Sequence, residues 1–451
     1  MKGEEMIEEI LAGVPKYEAF LTVDELKASS AKLAAEHPDL VRVVQVGHST
    51  DGEPIEMLRI GTGEEQLLFF ACPHPNEPIG AMTLEALSQR LVEDEALRGE
   101  RFTWNLIKCI DPDSTRLNEG WFKGPFTVTH YASEFYRPTS FDQAEWTFPI
   151  VYKKYSFFQP IPETSALINA ITGLRPVFIY SLHNAGLGGG YYYLSPHRPQ
   201  IDDALRALMT DRGVPLSLGE PEMPWGIELS PAIYQSTALT EHYDFLEKYG
   251  ADPCAQMQGG EGSYGFAKPI CDAAHLVCEL PYFYDARIED TSATNMSRKD
   301  AILRGVDSTA EMRRTLTELY ETLGSKMTVP SRFRRAAENL NRLMVNGAEM
   351  KRAWAASEAS LDVPATGAQV FDNLTVGRFY TVLIVGMARR GLRLEVERTS
   401  NPEMVAALQR IESAFDRWTA ELERDLDYRV IPIKTLVEIQ LGASLRFLET
   451  V

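Results

Sequence analysis

The chain is short of cysteine, of basic charge and of long apolar runs. Its five cysteines are odd in number, scattered over 451 residues, and include no CxxC pair. That pattern excludes a disulfide framework and a zinc ribbon. Acidic residues outnumber basic ones, 64 to 45, for a formal charge of −19. So acidic a chain is a poor partner for nucleic acid or an anionic membrane, both of which need basic patches. The longest apolar stretch, Phe379 to Met387, is far too short to span a bilayer. The first residues, Met1-Lys2-Gly3-Glu4-Glu5-Met6-Ile7-Glu8-Glu9, contain no apolar h-region, so no secretory leader is expected. Internal repeats and low-complexity tracts are also missing. These absences predict a reduced, cytoplasmic protein.

What remains is ordinary globular composition, 44% hydrophobic and 24% charged, with ample material for a large core. The texture divides in two. Up to residue 295, apolar strand-like runs alternate with helix-like segments, which predicts an α/β unit with a mixed central sheet sandwiched by helices. From 296 to 451 the pattern is mainly helical, in segments 298–324, 331–357, 368–390 and 402–427. In the last of these Met404, Leu408, Ile411, Phe415, Trp418 and Leu422 form one apolar helix face, read as a packing surface. We expect a first domain over 1–295 and a helical C-terminal extension over 296–451.

Within the first domain, residues 1 to about 20 read as a polar lead-in. Thr22 caps a helix through Leu26 and Leu33. Leu40 to Val46 and Ile55 to Ile60 read as strands joined by a turn. Leu67 to Ala71 is a buried strand that ends in Cys72-Pro73-His74-Pro75-Asn76-Glu77-Pro78, and a helix follows with Met82, Leu84, Leu87 and Leu91 at helical spacing. Phe102 to Ile110 is another buried strand, ending in Asp111-Pro112-Asp113. The aromatic, Pro-rich segment 123–160 has no period and is expected to be a long ordered loop. A helix starts at Pro162. Pro176 to Leu182 is a strand that ends at His183, Tyr191 to Leu194 is a strand, 201–212 is a helix, and Leu276 to Pro281 is a late buried strand carrying Glu279.

Four strand-end positions carry chemistry: His74 with Glu77, Arg116 with Asn118, His183, and Glu279. Ligands of α/β sheets sit beyond the carboxyl ends of the strands. Two imidazoles and a carboxylate, His74, His183 and Glu77, make a three-ligand zinc site with one position left for water. One Zn2+ per chain is expected. A second carboxylate is then needed to move a proton, and Glu279, flanked by Leu276, Val277, Cys278 and Leu280, suits a general acid/base whose pKa is raised by desolvation.

The ordered set of His74-Pro75-Asn76-Glu77, Asp111-Pro112-Asp113, a strand-end His183 and Glu279 in a Cys-Glu-Leu-Pro strand resembles the zinc carboxypeptidase (carboxypeptidase A-like) superfamily. The approach through His37-Pro38-Asp39-Leu40 and Gly47-His48-Ser49 is also similar, and the likeness spans roughly residues 20 to 285. It implies His74, Glu77 and His183 as zinc ligands and Glu279 as general acid/base. Arg116 is the candidate for polarising the scissile carbonyl, and Arg137, in Tyr136-Arg137-Pro138, for binding a substrate carboxylate. Tyr stands where the family has Asn before that arginine, so Arg116 and Asn118 together are the alternative carboxylate site. The family's phenol has no clean counterpart; register places Met257 near it, and Tyr264 is a substitute.

The implied function is zinc-dependent hydrolysis of a peptide or peptide-like amide, as a metallocarboxypeptidase. Its partners are then a peptide or acylated amino-acid substrate, with no nucleic acid and no membrane, and the apolar helix faces leave a homo-oligomer open. The alternatives are an N-acyl-amino-acid deacylase or an isopeptide or cell-wall peptide amidase on the same fold, and a catalytically inactive metal-binding or interaction protein. Trp146 and Tyr191 to Tyr193 read as packing residues, and His48, His130, His197, His242 and His275 as ordinary ones.

Overall fold

A computed structural model describes residues 2–451, with side chains from Glu4 onward. Nine strands form one mixed sheet: β1 (Val41–His48), β2 (Pro54–Ile60), β3 (Glu65–Ala71), β4 (Phe102–Ile107), β5 (Phe178–Leu182), β6 (Tyr191–Ser195), β7 (Glu228–Ser230), β8 (Ile233–Gln235) and β9 (Ala274–Glu279). Their spatial order is β1-β2-β4-β3-β5-β9-β6-β8-β7. The central strands β4, β3, β5 and β9 run parallel, and antiparallel β2 and β6 flank them.

The run Leu67 to Ala71 is apolar throughout because both faces of β3 are covered. Leu67, Phe69 and Ala71 join one core, with Leu84 and Leu87 of helix Ile79–Glu93 and Val437 and Phe447 of helix Ile433–Leu448. Leu68 and Phe70 point the other way, onto Leu167 and Ile171 of helix Pro162–Leu174. Thr22 caps helix Val23–Glu36 through a reciprocal box with Glu25.

Two segments depart from the expected pattern. Residues 1 to about 20 are not a polar lead-in, because Lys2–Ala12 is a helix whose Ile7, Ile10 and Leu11 are buried in the main core. The acidic residues between them mask an i, i+3, i+4 apolar spacing. Segment 123–160 holds a short helix, Val128–Glu134, and a hairpin of Ile150–Tyr152 with Tyr155–Phe157.

The C-terminal region is helical, with Arg298–Ser308, Ala310–Leu323, Arg332–Ser357, Gly377–Thr399 and Pro402–Asp425. Ile411, Phe415, Trp418 and Leu422 are buried, as their spacing predicts. The chain then returns to the nine-stranded sheet. Arg429–Val430 pairs with Pro281–Tyr284, the continuation of β9, and helix Ile433–Leu448 lies on the sheet. Gln440 of that helix is fully buried. Its amide donates to the carbonyls of His183 (2.7 Å) and Cys278 (3.3 Å), and its oxygen accepts from the Thr83 hydroxyl (2.9 Å). Among the described residues, no helix is long and apolar enough to cross a membrane.

Gln440 thus ties three elements together at the strand ends. Replacing it by Leu removes the buried donor shared by the His183 and Cys278 carbonyls, while the Thr83 hydroxyl keeps the Ile79 carbonyl as acceptor, and is expected to lower stability by about 1–3 kcal/mol, read by urea denaturation. A loss below about 0.5 kcal/mol, the range of an ordinary surface change, would remove Gln440 from that role.

Candidate metal centre

Parallel neighbours finish side by side. Ala71 of β3 pairs with Leu182 of β5, and Leu182 pairs with Cys278 of β9. One residue further along, His183 and Glu279 come together, with His183 Nδ1 3.8 Å from Glu279 Oε1. The loop after β3 turns at Cys72, whose φ of 54° is left-handed, and Pro73, Pro75 and Pro78 stiffen it. Asn184 fixes its far end. The Asn184 side-chain oxygen accepts from the Ile79 N–H at 3.1 Å, and its backbone N–H donates to Glu77 Oε2 at 3.2 Å. The Tyr282 hydroxyl donates to the Asn76 carbonyl at 2.9 Å.

The result is a buried group in which one donor atom each from His74, Glu77 and His183 lie within 4.8 Å of one another. His183 Nδ1 is 3.0 Å from Glu77 Oε2. Its Nε2 is 2.9 Å from Ser181 Oγ, which donates to Glu145 Oε2 at 3.3 Å. Glu145 is held in turn by the Ser263 N–H and hydroxyl at 2.9 and 2.6 Å. With Nε2 tied back in this way, Nδ1 is the nitrogen turned toward Glu77. The His74 ring lies 4.8 Å from that of His183 and 4.9 Å from Trp146.

The electrostatics suit a bound cation. Burial, helped by the Arg137 and His183 charges, holds His74 well below the usual imidazole range, so the ring is neutral, as a metal ligand must be. His74 Nδ1 is buried and has no hydrogen-bond partner, an orphaned nitrogen of the kind a metal ion could take as ligand. Burial works against a charged His183, yet the Glu77 hydrogen bond and the charges of Glu77, Glu279 and Glu145 raise it to about 9. Burial first, and Glu77 second, push Glu279 well above the usual carboxylate range. A neutral imidazole with an orphaned nitrogen, beside a second imidazole and a carboxylate, is a donor set that fits zinc.

The arginines divide differently from expectation. Arg137 reaches the group: Nη1 lies 3.1 Å from Glu77 Oε1, Nε donates to Gln143 Oε1 at 3.2 Å, and the guanidinium lies over Trp146 at 5.2 Å. Arg116 does not. Its Nη2 pairs with Asp24 at 2.7 Å and Glu53 at 2.8 Å. Asn118 is wholly buried, and its amide spends itself on the Tyr136 backbone, donating to the carbonyl and accepting from the N–H, both at 2.9 Å. It fixes the residue before Arg137 and touches no member of the group. Tyr264 also lies elsewhere, its hydroxyl 3.2 Å from Ser195 Oγ and 3.2 Å from Lys268 Nζ.

Residues read as packing, or not singled out at all, also border the group. Gln143, Glu145 and Trp146 come from the segment without a period. Tyr380, on helix Gly377–Thr399, accepts from the Gly186 N–H at 3.1 Å. That helix comes so close to the strand after His183 that a Cβ on Gly186 would lie 2.6 Å from the Phe379 ring. Burial raises the Tyr380 phenol, and the charges of Glu279, Glu222 and Glu77 add to it. No local sequence signal marks Gln143, Glu145 or Tyr380; each arrives by tertiary packing.

Residues 26–212 match the zinc carboxypeptidase family. That carboxypeptidase-like segment contains His74, Glu77 and His183, and Glu279 lies beyond it. No curated protein matches the chain. Solved structures similar to it include carboxypeptidase A from Helicoverpa armigera, 14% identical with a TM-score of 0.38, covering 79% of this chain and 82% of that one. Another is a metallo-carboxypeptidase from Burkholderia cenocepacia, 15% identical with a TM-score of 0.33, covering 60% of this chain and 61% of that one.

The Asp111-Pro112-Asp113 turn of the carboxypeptidase-like segment is scaffolding. Asp111 caps the helical turn Pro112–Arg116, accepting from the Ser114 N–H at 3.0 Å, and Asp113 accepts from Ser49 and from the Asp51 N–H, both at 2.7 Å. Burial, with the Glu163 charge next, raises Asp111 to about 7. Its unfolded value is about 3.9, so the folded state holds the proton more tightly. The stability this contributes is complete below about pH 4 and is lost as pH rises through about 7. Asp111→Asn is expected to shrink the decline in stability between about pH 4 and 7 in urea denaturation; an unchanged slope would contradict the assignment.

Proposed function

We propose that His74, Glu77 and His183 hold one zinc ion, and that the protein hydrolyses an amide bond of a peptide or peptide-like substrate as a metallocarboxypeptidase-like enzyme. The observation that carries this reading is the buried His74, Glu77 and His183 group with Glu279 beside it at the ends of parallel strands. Zinc, when bound, polarises a carbonyl and lowers the pKa of water toward neutrality. Glu279 then takes the proton of the attacking water at a carboxylate oxygen and returns it to the leaving amine nitrogen. Its raised proton affinity suits both halves of that transfer. Ser181 and Asn184 keep His183 and Glu77 in place.

Arg137 is the cation placed to face a carbonyl oxygen that becomes negative. Its planar head, over Trp146 and tied to Gln143, has little orienting left to do. This moves the carbonyl-polarising role to Arg137 from Arg116, whose guanidinium is engaged by Asp24 and Glu53. With Arg137 so employed, no second arginine pairs with the group among the described residues. That favours keeping a second reading, an amidase on isopeptide or cell-wall-like peptides or an N-acyl-amino-acid deacylase, for which a free C-terminal carboxylate is not the recognised feature.

Matched peptides with free and amidated C-termini separate the two readings, since an exopeptidase cleaves only the free form. On any substrate turned over, Glu279→Gln is expected to retain zinc and lose about 100- to 10,000-fold in kcat. Arg137→Ala is expected to lose about 100- to 1,000-fold in kcat, with little change in zinc content. Near-normal kcat in Glu279→Gln would remove Glu279 from proton transfer.

A further inference from the structure

The strands that end at the centre also build the surface next to it. In the antiparallel pair of β9 and β6, Glu279 lies opposite Tyr191 and Val277 opposite Tyr193. Opposed residues share a face, as do residues two apart. Tyr191 and Tyr193 therefore stand on the Glu279 side of the sheet. Tyr234 lies beside Tyr193 in the parallel pair of β8 and β6 and extends that face. The three ring centroids are 5.6 to 6.2 Å apart.

A carboxylate closes this aromatic surface. Glu222 Oε2 accepts from the Tyr193 hydroxyl at 3.1 Å and from the Tyr191 hydroxyl at 3.3 Å. Glu222 is exposed and forms no ion pair among the described residues. Its neighbour Glu220 is gripped by Arg298, so a cation was available nearby and is used two residues away. The loop is anchored firmly: the Glu220 N–H donates to Asp372 Oδ2 at 2.8 Å, and a Cβ on Gly219 would lie 2.8 Å from the Asp372 side chain. Glu222 is thus held by neutral phenols, which orient the carboxylate and leave its charge in place.

We infer that Tyr191, Tyr193 and Glu222 form a subsite beside Glu279 for a cationic group of the substrate, a primary ammonium or a guanidinium. The carboxylate supplies the counter-charge through charge-assisted hydrogen bonds. Tyr191, the half-buried ring of the three, offers its face to the cation and apolar wall to the methylenes behind it, with Tyr193 and Tyr234 buried beneath as its support. A neutral substrate would bury part of Glu222 with nothing in exchange, and an acidic one would be repelled. The inference rests on the hydrolase reading for the direction in which substrate lies, and on the Glu222 surface alone for the charge it accepts.

Two measurements test it separately. The first is kcat/KM of the zinc-loaded protein on acyl-peptides that differ at one position beside the cleaved bond, carrying Lys, Arg, Met or Glu. Wild type is expected to favour Lys or Arg over Met by about 10- to 100-fold. In Glu222→Gln that ratio should collapse toward one, mainly through KM, and Glu222→Lys should favour Glu. A wild type with no basic preference, or a Glu222→Gln that lowers basic and neutral substrates alike, would overturn the subsite. The second is direct binding of N-acetyl-arginine amide, N-acetyl-lysine amide and N-acetyl-methionine amide, followed by the tyrosine ring signals in NMR. Basic amides bound by wild type and lost in Glu222→Gln support the subsite even if nothing is hydrolysed, in which case only the hydrolase reading fails. Equal binding of the basic and neutral amides would overturn the subsite whatever the protein hydrolyses.

Discussion

The structure depends on buried negative charge. Glu77 and Glu279 meet at the ends of parallel strands, with Glu145 behind them. Taking carboxylates out of water costs several kcal/mol each unless they are paired. Arg137 pairs with one oxygen of Glu77, and His183 lies against the other. The surrounding architecture holds this arrangement: the register of β3, β5 and β9, the proline-stiffened loop, and the hydrogen bonds of Asn184 and Ser181. The orphaned nitrogen of His74 belongs to the same arrangement. Together they build a donor set that could hold a metal ion.

The helical region reaches this centre from the side. Arg390 lies over Phe333 and donates to the carbonyls of Leu117 and Phe135, clamping the backbone just before Asn118 and just before Tyr136. Tyr136 packs edge-on against Phe333. Tyr380 meets the strand after His183, and Asp372 anchors the loop that carries Glu222. The helices therefore set both the arginine beside the His74, Glu77 and His183 group and the loop that carries Glu222. The final helix, through Gln440, locks the ends of the two strands that carry His183 and Glu279.

How much of this was legible in the sequence follows from the range of each signal. The strands leading to His74, His183 and Glu279 are mostly apolar because they are buried on both faces, and turn residues mark their ends; both signals are local. The mixed sheet and the three-residue donor set follow from them. Which arginine serves the site is not a local property. Arg116 follows a buried strand in sequence as the others do, but it lies on the helical turn Pro112–Arg116 and Asp24 and Glu53, far from it in sequence, take its charge. Arg137, Gln143 and Glu145 lie in a segment whose lack of period hides everything except contact geometry. Tyr193 is buried with Tyr191 packed against it, as the packing reading expects, and only the fold shows Glu222 against their hydroxyls.

The most direct test is the zinc content and zinc coordination of the purified chain after removal of loosely bound metal. One zinc per chain is expected, with X-ray absorption showing two imidazole nitrogens and carboxylate oxygen in the first shell at about 2.0–2.2 Å. His74→Ala should retain the fold by circular dichroism while losing most of the metal. A folded wild type that binds no zinc, or one whose zinc is untouched by His74→Ala, would contradict the centre described here.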